Sequence, residues 1–599
     1  MTSREKIQGL RRLMKREKIH AYLVPSTDPH SSEYVPACWR RREWVSGFTG
    51  SAGDVVVFLN EAGLWTDSRY FLQAERQLEK GVVSLFKVGV EGTPTIEEYL
   101  IKKLKRGQAV GVDPQVLTEE RAAAMSKALE ERGIRLRYTK NLIDGLWADQ
   151  PPLPTEPVER YPDRLAGETV AEKLGRMRTE LERRDVDFHV VTSLDCVAWL
   201  FNIRGRDVEY NPLVVAYAIL GRRSAELFVD SVKLNATVRK GLDKIVRLRP
   251  YEAAGDAFAA LGKKKARVLI DAPATNHWVV ERMKGALIRY APSPIVAAKA
   301  VKNQAQIRGI REAHRRDGVA MVRFLHWLEG ALRERSFTEL EVAETCEAFR
   351  ADEQNYRGPS FETIVGFNAN AAVVHYSPRT GENATIGKRG ILLIDSGGQY
   401  LEGTTDITRT ITIGTPSPRE KELFTRVLKG HIGLARTAFP KGMTGIRIEI
   451  VARQALWAGG IEYGHGTGHG VGHYLSVHEG PVGFSPRALA PLEPGNLISN
   501  EPGCYETGHY GFRTENLVII VPDKKRSTKE LAWCALDEVT LCPIDRELVE
   551  TAMLTAEERD WLNGYHARVL AELGPRLQPE VRAWLEEKTR PIEAAGQVV

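Results

Sequence analysis

A proline-rich stretch from Asp149 to Arg164 separates two segments of this chain. It reads DQPPLPTEPVERYPDR. Each of its prolines removes a backbone donor and disfavours helix at the residue before it. Such a stretch is typical of an extended linker that cannot be helical. We therefore predict a first domain over residues 1–150 and a second domain that starts near residue 165.

The segments on either side of this linker are similar. On the amino-terminal side, apolar residues at helical spacing (Ile7, Leu10 and Met14) lead into the strand-like run IHAYLVPSTD. Beyond the linker, the same pattern over residues 170–181 leads into VDFHVVTSLD. A tryptophan and a glycine-bearing loop follow in both cases. The repetition predicts two α/β domains of one kind, the second ending near residue 296.

The pattern then changes to that of an α+β domain over residues 297–545. A long amphipathic helix comes first, with Ile307, Ile310 and Leu325 on its apolar face. Helices then alternate with β-rich runs such as ILLIDSG and NLVIIVP, which glycine-rich turns separate. This alternation predicts mostly antiparallel strands.

The carboxy-terminal tail predicts a helical extension over residues 546–599. Thr555, followed three residues later by Glu558, forms a capping box that opens a helix. We expect its apolar stripe to pack on the body of the protein.

Composition excludes several classes of protein. The formal net charge of +6 over 599 residues gives no basis for nucleic-acid binding. The six cysteines are scattered without a C-x-x-C pair, which argues against a disulfide framework and favours reduced thiols. The sequence has neither a secretory signal nor a run of 18 apolar residues, so no membrane association is expected. The expected compartment is the cytoplasm.

Two carboxylates stand close together in the segment DSGGQYLEGTTD. Asp395 ends the apolar run ILLI, and Asp406 opens another β-rich run after a glycine-rich turn. Two strands joined by a turn would bring these carboxylates side by side, where they repel each other unless a cation lies between them. For this segment alone, a surface hairpin with two unrelated aspartates remains an alternative.

A segment rich in glycine and histidine, YGHGTGHGVGHYLSVHEGP, starts at Tyr463. It contains four of the 14 histidines of the chain, namely His465, His469, His473 and His478. Its alternating glycines let the backbone approach another group closely. No strand–loop–helix with a ribose-binding acid accompanies it, so we reject a nucleotide-binding loop. One such histidine alone would more often be a core residue, but four together predict a functional site.

Two glutamates follow in SNEPGCYETGHYGFRTENLVIIVP. Glu501 follows an apolar stretch, and Glu515 lies two positions after Arg513. That spacing predicts that the side chains of Arg513 and Glu515 point to one face of a strand. Buried acids need partners, which either Arg513 or a metal ion would supply.

The charges of these four carboxylates and one imidazole are those that a pair of divalent cations requires. Four carboxylates would neutralise two divalent cations, and a neutral imidazole leaves room for one bridging hydroxide. Oxygen-rich ligation with a single nitrogen favours Mn²⁺, with Co²⁺, Fe²⁺ or Zn²⁺ as alternatives, and differs from the thiolate-rich ligation of structural zinc. The predicted ligands of the two ions are Asp395, Asp406, His469, Glu501 and Glu515.

In order and surroundings, these five residues resemble the active-site set of the pita-bread metallopeptidases. The segments FETIVGFNANAAVVHY, LWTDSRYFLQA and WLFNIRGRDVEYNP, with VHEGP, narrow the resemblance to three-domain Xaa-Pro aminopeptidases. The resemblance implies two creatinase-like domains ahead of a pita-bread catalytic domain. It also implies a homodimer that cleaves between the first residue of a peptide and a following proline.

The resemblance further implies individual roles. A hydroxide held between the metals would be the nucleophile, and Glu501 would handle its proton. His478 and His375 would bind the substrate and stabilise the oxyanion. Arg513 would orient Glu515 or another ligand carboxylate. The residues implied in substrate binding are Arg69, His375, His465, His478 and Arg513.

Three other functions compete with this one. A prolidase would cleave only Xaa-Pro dipeptides, but such enzymes usually have a single amino-terminal domain. Creatine-type amidinohydrolysis uses the same fold without metals, and the presence of all five ligands argues against it. An inactive peptide-binding module should have lost ligands, and this chain has retained them.

Overall fold

The computed structural model describes residues 1–379, 381 and 383–593. The chain divides into two compact units, of which the first spans Met1–Val296 and the second begins at Ala297. The boundaries near residues 150 and 165 stay predictions. Of the predicted carboxy-terminal extension, residues 594–599 lie outside the described residues.

The first part of the first unit is built on a six-stranded sheet with the strand order β4-β3-β2-β1-β5-β6. Its strands are β1 (Ala21–Val24), β2 (Asp54–Phe58), β3 (Ala62–Thr66), β4 (Ser84–Lys87), β5 (Ala109–Val112) and β6 (Arg135–Tyr138). Its helices are α1 (Ser3–Arg16), α2 (Arg41–Ser46), α3 (Phe71–Gln77), α4 (Ile96–Lys103) and α5 (Glu119–Glu130). A capping box between Thr2 and Glu5 opens α1, whose apolar face is buried.

The second part of this unit contains another six-stranded sheet, with β7 and β9 pairing separately. Its strands are β7 (Glu159–Arg160), β8 (Phe188–Val191), β9 (Ile203–Arg204), β10 (Ala216–Gly221), β11 (Ala225–Val229), β12 (Arg247–Arg249), β13 (Arg267–Ile270) and β14 (Leu287–Tyr290). Its helices are α6 (Asp163–Ala166), α7 (Val170–Arg183), α8 (Leu194–Leu200), α9 (Ala236–Leu242), α10 (Ala254–Lys263) and α11 (His277–Arg282). A further helix, α12 (Pro294–Ala300), begins in the first unit and ends in the second.

The two large sheets share one topology. The second has the order β12-β11-β10-β8-β13-β14, which repeats the order of the first. In each sheet the first strand pairs antiparallel with the next and parallel with the fifth. The fourth and sixth strands, at the two edges, are each parallel to their neighbours in both sheets. The predicted pair of α/β domains of one kind is therefore confirmed.

The linker prediction was right for most of its length. No helix occurs between Asp149 and Val158, and the chain then forms the short strand β7. The prediction was wrong at its last two residues, where α6 begins directly after Pro162. A proline just before a helix or in its first turn is tolerated, because the amide donors there have no partner within the helix.

The second unit is α+β. Its helices are α13 (Gln304–Glu334), α14 (Glu339–Ala351), α15 (Pro418–Ala435), α16 (Gly445–Ile448), α17 (Ile450–Trp457), α18 (Ala556–Leu573) and α19 (Pro579–Lys588). Its strands are β15 (Tyr356–Pro359), β16 (Ile364–Phe367), β17 (Gly390–Ser396), β18 (Gly398–Tyr400), β19 (Gly403–Thr404), β20 (Ile407–Ile413), β21 (Phe439–Pro440), β22 (Gly468–Gly470), β23 (Glu479–Phe484), β24 (Leu497–Asn500), β25 (Gly503–Glu506), β26 (Tyr510–Arg513), β27 (Asn516–Pro522) and β28 (Trp533–Glu538).

Strand pairing in the second unit follows the predicted antiparallel pattern. The three-stranded sheet β16-β17-β20 and the six-stranded sheet β21-β28-β27-β24-β22-β23 are antiparallel throughout. The sheet β15-β18-β19 and the hairpin β25-β26 are smaller. The amphipathic helix predicted ahead of them is α13, which buries Ile310 and most of Leu325.

Short 3₁₀ helices complete the described secondary structure. They are Ala37–Trp39, Pro114–Val116, Ser231–Lys233, Tyr251–Ala253, Asn368–Ala372, Arg546–Leu548, Thr551–Met553 and Gly574–Arg576. Among the described helices, none combines the length and apolar character that a membrane crossing requires. All six cysteines are buried and free of disulfide bonds.

A fully buried arginine ties the carboxy-terminal extension to the sheet that contains Asp395. Arg409 on β20 donates hydrogen bonds to the Tyr565 hydroxyl at 2.9 Å and to the backbone oxygen of Cys542 at 2.8 Å. Tyr565 lies on α18, which begins at the predicted capping box and buries its apolar side in the core of the unit. The expectation that the tail packs on the body is confirmed.

We predict that Tyr565→Phe destabilises the second unit by about 1–3 kcal/mol, because buried Arg409 loses an acceptor. Tyr356→Phe is a matched control, since the Tyr356 hydroxyl is buried and has no hydrogen-bond partner within the described part of the chain. Its removal should be neutral or stabilising. Urea denaturation of both variants measures the difference, and equal destabilisation would contradict this role of the Tyr565 hydroxyl.

Candidate metal centre

The first two predicted carboxylates lie at the paired ends of neighbouring strands. Asp395 is the penultimate residue of β17, and its partner across the ladder is Thr408 on β20. Asp406 directly precedes β20. The antiparallel register therefore brings both aspartates to the same end of the sheet, as predicted. The connection between them is more than a turn, because β18 and β19 form a hairpin of their own.

His469 lies in the middle of β22, between two glycines that permit close packing. A Cβ atom at Gly468 would lie 1.8 Å from the backbone oxygen of Ser499, and one at Gly470 would lie 2.3 Å from that of Glu479. Any side chain would clash there, because β22 runs directly beside β23 and β24. The glycines thus allow the close backbone approach that the sequence predicted.

Glu501 and Glu515 lie at the ends of neighbouring strands in the six-stranded sheet. Glu501 directly follows β24, and Glu515 directly precedes β27, which pairs antiparallel with β24. The backbone amide of Glu515 donates to the backbone oxygen of Thr408 at 3.2 Å. This bond joins the two sheets at the point where the predicted carboxylates lie.

The side chains of the predicted ligands converge. Ligand atoms of Asp406, His469 and Glu515 all lie within 4.8 Å of one another. His469 Nε2 lies 3.4 Å from Asp406 Oδ2 and 3.4 Å from Glu501 Oε1. The strand register places Asp395 beside this group. The structure therefore brings all five predicted ligands to one place.

Arg513 is oriented differently from the prediction. It ends β26, whereas Glu515 lies beyond that strand, so the two residues do not share a strand face. The Arg513 guanidinium donates to Asp395 Oδ2 at 2.5 Å and to the Thr408 hydroxyl at 3.1 Å. That hydroxyl donates in turn to Glu515 Oε2 at 2.8 Å. The prediction of a shared face was wrong because the chain leaves the β25-β26 hairpin at Thr514 to join the large sheet.

Tyr505 is a residue of the site that the sequence prediction missed. Its hydroxyl accepts a hydrogen bond from Arg513 Nη1 at 2.8 Å and lies 2.8 Å from His465 Nε2. A chain of contacts thus runs from His465 through Tyr505 and Arg513 to Asp395. The spacing of residues in the sequence does not reveal this contact, because it depends on the pairing of β25 with β26.

The other histidines of the glycine-rich segment have different surroundings. The rings of His478 and His469 lie edge to face with centroids 4.3 Å apart, so His478 borders the predicted ligands. His473 is buried, and its Nε2 packs against Gly309 at the start of α13. His478 therefore lies next to the predicted ligands, whereas His473 packs against α13.

Two predicted substrate residues lie on other segments. Arg69 lies between β3 and α3 of the first unit, where its guanidinium pairs with Asp67 at 2.7 Å. His375 lies in a half-buried segment that follows the 3₁₀ helix Asn368–Ala372. The roles of both residues stay predictions.

Burial opposes ionisation of the metal-free cluster. Burial, reinforced by neighbouring carboxylates, raises the pKa of Asp395 to about 6 and raises the pKa values of Glu501 and Glu515. Burial alone would lower the pKa of His469. The hydrogen bond to Asp406 and the charge of Glu501 outweigh that effect, so the pKa of His469 rises to about 9.

Two buried oxygens indicate where cations fit. Asp395 Oδ1 and Glu515 Oε1 have no hydrogen-bond partner among the residues that the structure describes. A buried carboxylate oxygen without a donor is costly unless a cation binds it. Four carboxylates with one imidazole form a donor set that suits divalent ions such as Mn²⁺. The residues present therefore fit a pair of divalent metals.

Protein-family models match nearly the whole chain. The creatinase/prolidase N-terminal domain matches twice, over residues 6–146 and 149–306. Metallopeptidase family M24 matches residues 308–522, and the C-terminal region of that family matches residues 532–592. The predicted fold, two creatinase-like domains ahead of a pita-bread domain, is confirmed.

The probable Xaa-Pro aminopeptidase P of Penicillium rubens is 40% identical to this chain over 607 residues, which is 98% of each chain. This chain belongs to the aminopeptidase P branch of metallopeptidase family M24. An X-prolyl aminopeptidase from Caenorhabditis elegans, described as a cytosolic enzyme with a di-nuclear active site, matches at 36% identity with a TM-score of 0.95. That match covers 99% of this M24 protein and all of the nematode chain.

A smaller M24-like structure shows the same fold over part of the chain. The Xaa-Pro dipeptidase of Bacillus anthracis matches at 22% identity with a TM-score of 0.52. The match covers 99% of the dipeptidase but 63% of this chain. This M24 protein therefore contains a large portion for which that dipeptidase has no counterpart.

We predict that bound metal stabilises the M24 unit more at about pH 8.5 than at about pH 6. In the metal-free fold the raised carboxyl pKa values of Asp395, Glu501 and Glu515 make the folded state hold protons that the unfolded state loses above about pH 4. The raised pKa of His469, about 9, likewise makes the metal-free protein less stable as the pH rises from about 6.5 to about 9. The metal-free protein therefore loses stability as the pH rises.

Metal ions favour the ionised ligands and remove this penalty. The measurement is the difference in melting temperature between protein saturated with Mn²⁺ and chelator-stripped protein at the two pH values. A difference that is equal or smaller at the higher pH would contradict the account.

Proposed function

We propose that this chain is an Xaa-Pro aminopeptidase, which removes the first residue of peptides whose second residue is proline. The observation that carries the proposal is the convergence of Asp406, His469 and Glu515 within 4.8 Å. It occurs in a chain that matches an X-prolyl aminopeptidase along its whole length. Proline lacks an amide N–H and has a restricted φ angle, so such peptides require a dedicated site.

The proposed cofactor is a pair of divalent metal ions, with Mn²⁺ favoured by the oxygen-rich donor set. Once bound, paired ions of this kind supply a hydroxide at neutral pH and polarise the carbonyl of the bond to be cleaved. Support comes from the charge of the four carboxylates and from the two buried oxygens that lack a donor. The residues proposed to hold the ions are Asp395, Asp406, His469, Glu501 and Glu515.

Glu501 is proposed to act as the general base. Its Oε1 accepts a hydrogen bond from the Ser499 hydroxyl at 3.1 Å, and the same hydroxyl accepts the backbone amide of His469 at 3.0 Å. Ser499 therefore connects the Glu501 carboxylate to the backbone of His469. A carboxylate held in this way can take the proton of the attacking water and pass it to the departing amine.

His478 and His375 are proposed to stabilise the oxyanion that forms on the substrate carbonyl. His478 is held against the His469 ring, which places an imidazole next to the proposed metal ligands. Donors aimed at the developing charge stabilise it more than the ground state. His465, Arg69 and Arg513 complete the proposed substrate and positioning residues.

Arg513 is proposed to position the ligands rather than to react. Its guanidinium holds Asp395 directly and Glu515 through the Thr408 hydroxyl. A fixed fork of donors of this kind orients carboxylates better than a single ammonium group would.

We also propose that the protein is a cytoplasmic homodimer. The cytosolic location described for the nematode relative supports the compartment, and the family resemblance supports the dimer.

An Xaa-Pro dipeptidase is the second candidate function. The shared fold of the Bacillus anthracis dipeptidase favours it. Against it stands the large part of this chain that lies outside the match. An inactive peptide-binding module is disfavoured because all five proposed ligands are present.

We predict that the protein, when reconstituted with Mn²⁺, cleaves Arg-Pro-Pro at least about 10-fold more efficiently in kcat/KM than Gly-Pro. Chelator-stripped protein should lose nearly all activity, and added Mn²⁺ should restore it, because the proposed nucleophile requires the metals. The measurement is release of the first residue, with metal content determined on the same samples. Full activity of the stripped protein would refute the metal role, and a preference for Gly-Pro would favour the dipeptidase.

Two variants distinguish the loss of a proposed metal ligand from the general effect of removing a carboxylate charge. Asp406→Asn removes the negative charge of a proposed metal ligand and should lower both metal content and kcat. Asp352→Asn is the control, since Asp352 forms an exposed ion pair with Arg323 in the same unit. It should leave both quantities unchanged, because exposed pairs contribute little.

A further inference from the structure

A fully buried glutamate, Glu339, organises the segment that contains His375. It is the first residue of α14 and is 0% exposed. Its Oε1 accepts the backbone amide of Phe367 at 2.6 Å, and its Oε2 accepts the Tyr376 hydroxyl at 2.6 Å and the backbone amide of Ala384 at 2.7 Å. These three donors are neutral groups, so they hold the Glu339 carboxylate by hydrogen bonds and not by ion pairs.

The side-chain amide of Asn370 completes this set of donors. Its Nδ2 lies 3.0 Å from each carboxylate oxygen of Glu339 and 3.0 Å from the Tyr376 hydroxyl. The backbone amide of Glu339 in turn donates to the backbone oxygen of Ala384 at 3.0 Å. A carboxylate is acceptor-only, so it can satisfy all of these donors at once, and the start of a helix favours its negative charge.

The donors lie on both sides of His375 in the sequence. Phe367 and Asn370 precede it, Tyr376 follows directly, and Ala384 lies further on. A single carboxylate therefore binds described residues on both sides of His375. Residues 367–379 are called the His375 loop. Without it, several buried donors would lack partners, which makes any other course of the loop unfavourable.

The same loop is packed against the strands of the proposed metal centre. It leaves β16, where Ile364 pairs with Asp395 on β17. A Cβ atom at Gly511 on β26 would lie 2.0 Å from the backbone oxygen of Ala371, so the 3₁₀ helix of the loop lies directly on the strand that ends at Arg513. The loop is thus fixed by Glu339 on one side and by these strands on the other.

We propose that Glu339 is a positioning residue that fixes the His375 loop, and with it the His375 imidazole, for stabilisation of the oxyanion. The proposal rests on the proposed function, in which His375 acts on the substrate. Glu339 itself touches neither the substrate nor the metals. Its effect should appear in the rate of the chemical step, because a displacement of about 1 Å in a reacting group can lower the rate by about 100-fold.

The test is a double-mutant cycle measured on Mn²⁺-loaded protein with Arg-Pro-Pro as substrate. Glu339→Gln replaces one acceptor oxygen with a donor and should lower kcat by about 10- to 100-fold with a smaller change in KM. In a His375→Ala background the same substitution should change kcat by less than about threefold, because the residue that it positions is gone. A full effect of Glu339→Gln in that background would overturn the positioning role.

The matched control is Glu341→Gln, two residues further along α14. Glu341 closes the capping box with Thr338, a role that glutamine also fills, so kcat should be unchanged. Amide hydrogen exchange measured by mass spectrometry should rise across residues 367–379 in Glu339→Gln and stay at the wild-type level in Glu341→Gln. Unchanged exchange in Glu339→Gln would also overturn the proposal.

Tyr376→Phe takes the place of Glu339→Gln in the double-mutant cycle if Glu339→Gln does not fold. It removes one donor and keeps the carboxylate, so kcat should fall by a smaller factor and this fall should again vanish in the His375→Ala background. A fall that persists there would count against the proposal. The activity of the wild-type protein on Arg-Pro-Pro distinguishes failure of the proposed function from failure of the positioning role. Absence of this activity would refute both. Activity combined with independent, additive effects of Glu339→Gln and His375→Ala would refute the positioning role alone.

Discussion

Repulsion among four neighbouring carboxylates, three of them buried and one partly exposed, limits how the second unit can be arranged. Asp395, Asp406, Glu501 and Glu515 lie at the ends of strands from two sheets, and burial raises the pKa values of several of them. Arg513 supplies one positive charge at Asp395, which leaves most of the negative charge unbalanced. Divalent cations restore the balance, and oxygen ligands at this spacing are what they require.

The scaffold around the cluster prevents these groups from separating. The bond from the Glu515 amide to the backbone oxygen of Thr408 joins the two sheets. Arg409, the next residue, donates to the backbone oxygen of Glu515 at 2.7 Å and connects it to the carboxy-terminal extension. The carboxy-terminal extension therefore helps to fix the position of Glu515 through Arg409. A rigid frame of this kind holds charges in place that would otherwise move apart or become protonated.

Much of this arrangement could be predicted from the sequence, and the limits have physical causes. The proposed ligand set follows from residue type and charge balance, and the repeated helix–strand pattern predicted the duplicated α/β domains. The contact of Tyr505 with Arg513 could not be predicted, because it depends on the register of the β25-β26 hairpin. The contacts of Glu339 could not be predicted either, because its partners Phe367 and Ala384 lie 28 and 45 residues away in the sequence. The orientation of Arg513 was predicted wrongly, since period-two alternation holds only within one strand and the chain changes sheets at Thr514.

The five residues are proposed to hold two metal ions between the two sheets. Anomalous diffraction from crystals of the Mn²⁺-loaded protein, recorded on both sides of the manganese absorption edge, tests it most directly. We expect two manganese peaks about 3.5–4 Å apart, both within bonding distance of the set Asp395, Asp406, His469, Glu501 and Glu515. A single peak, or peaks bound by other residues, would contradict it.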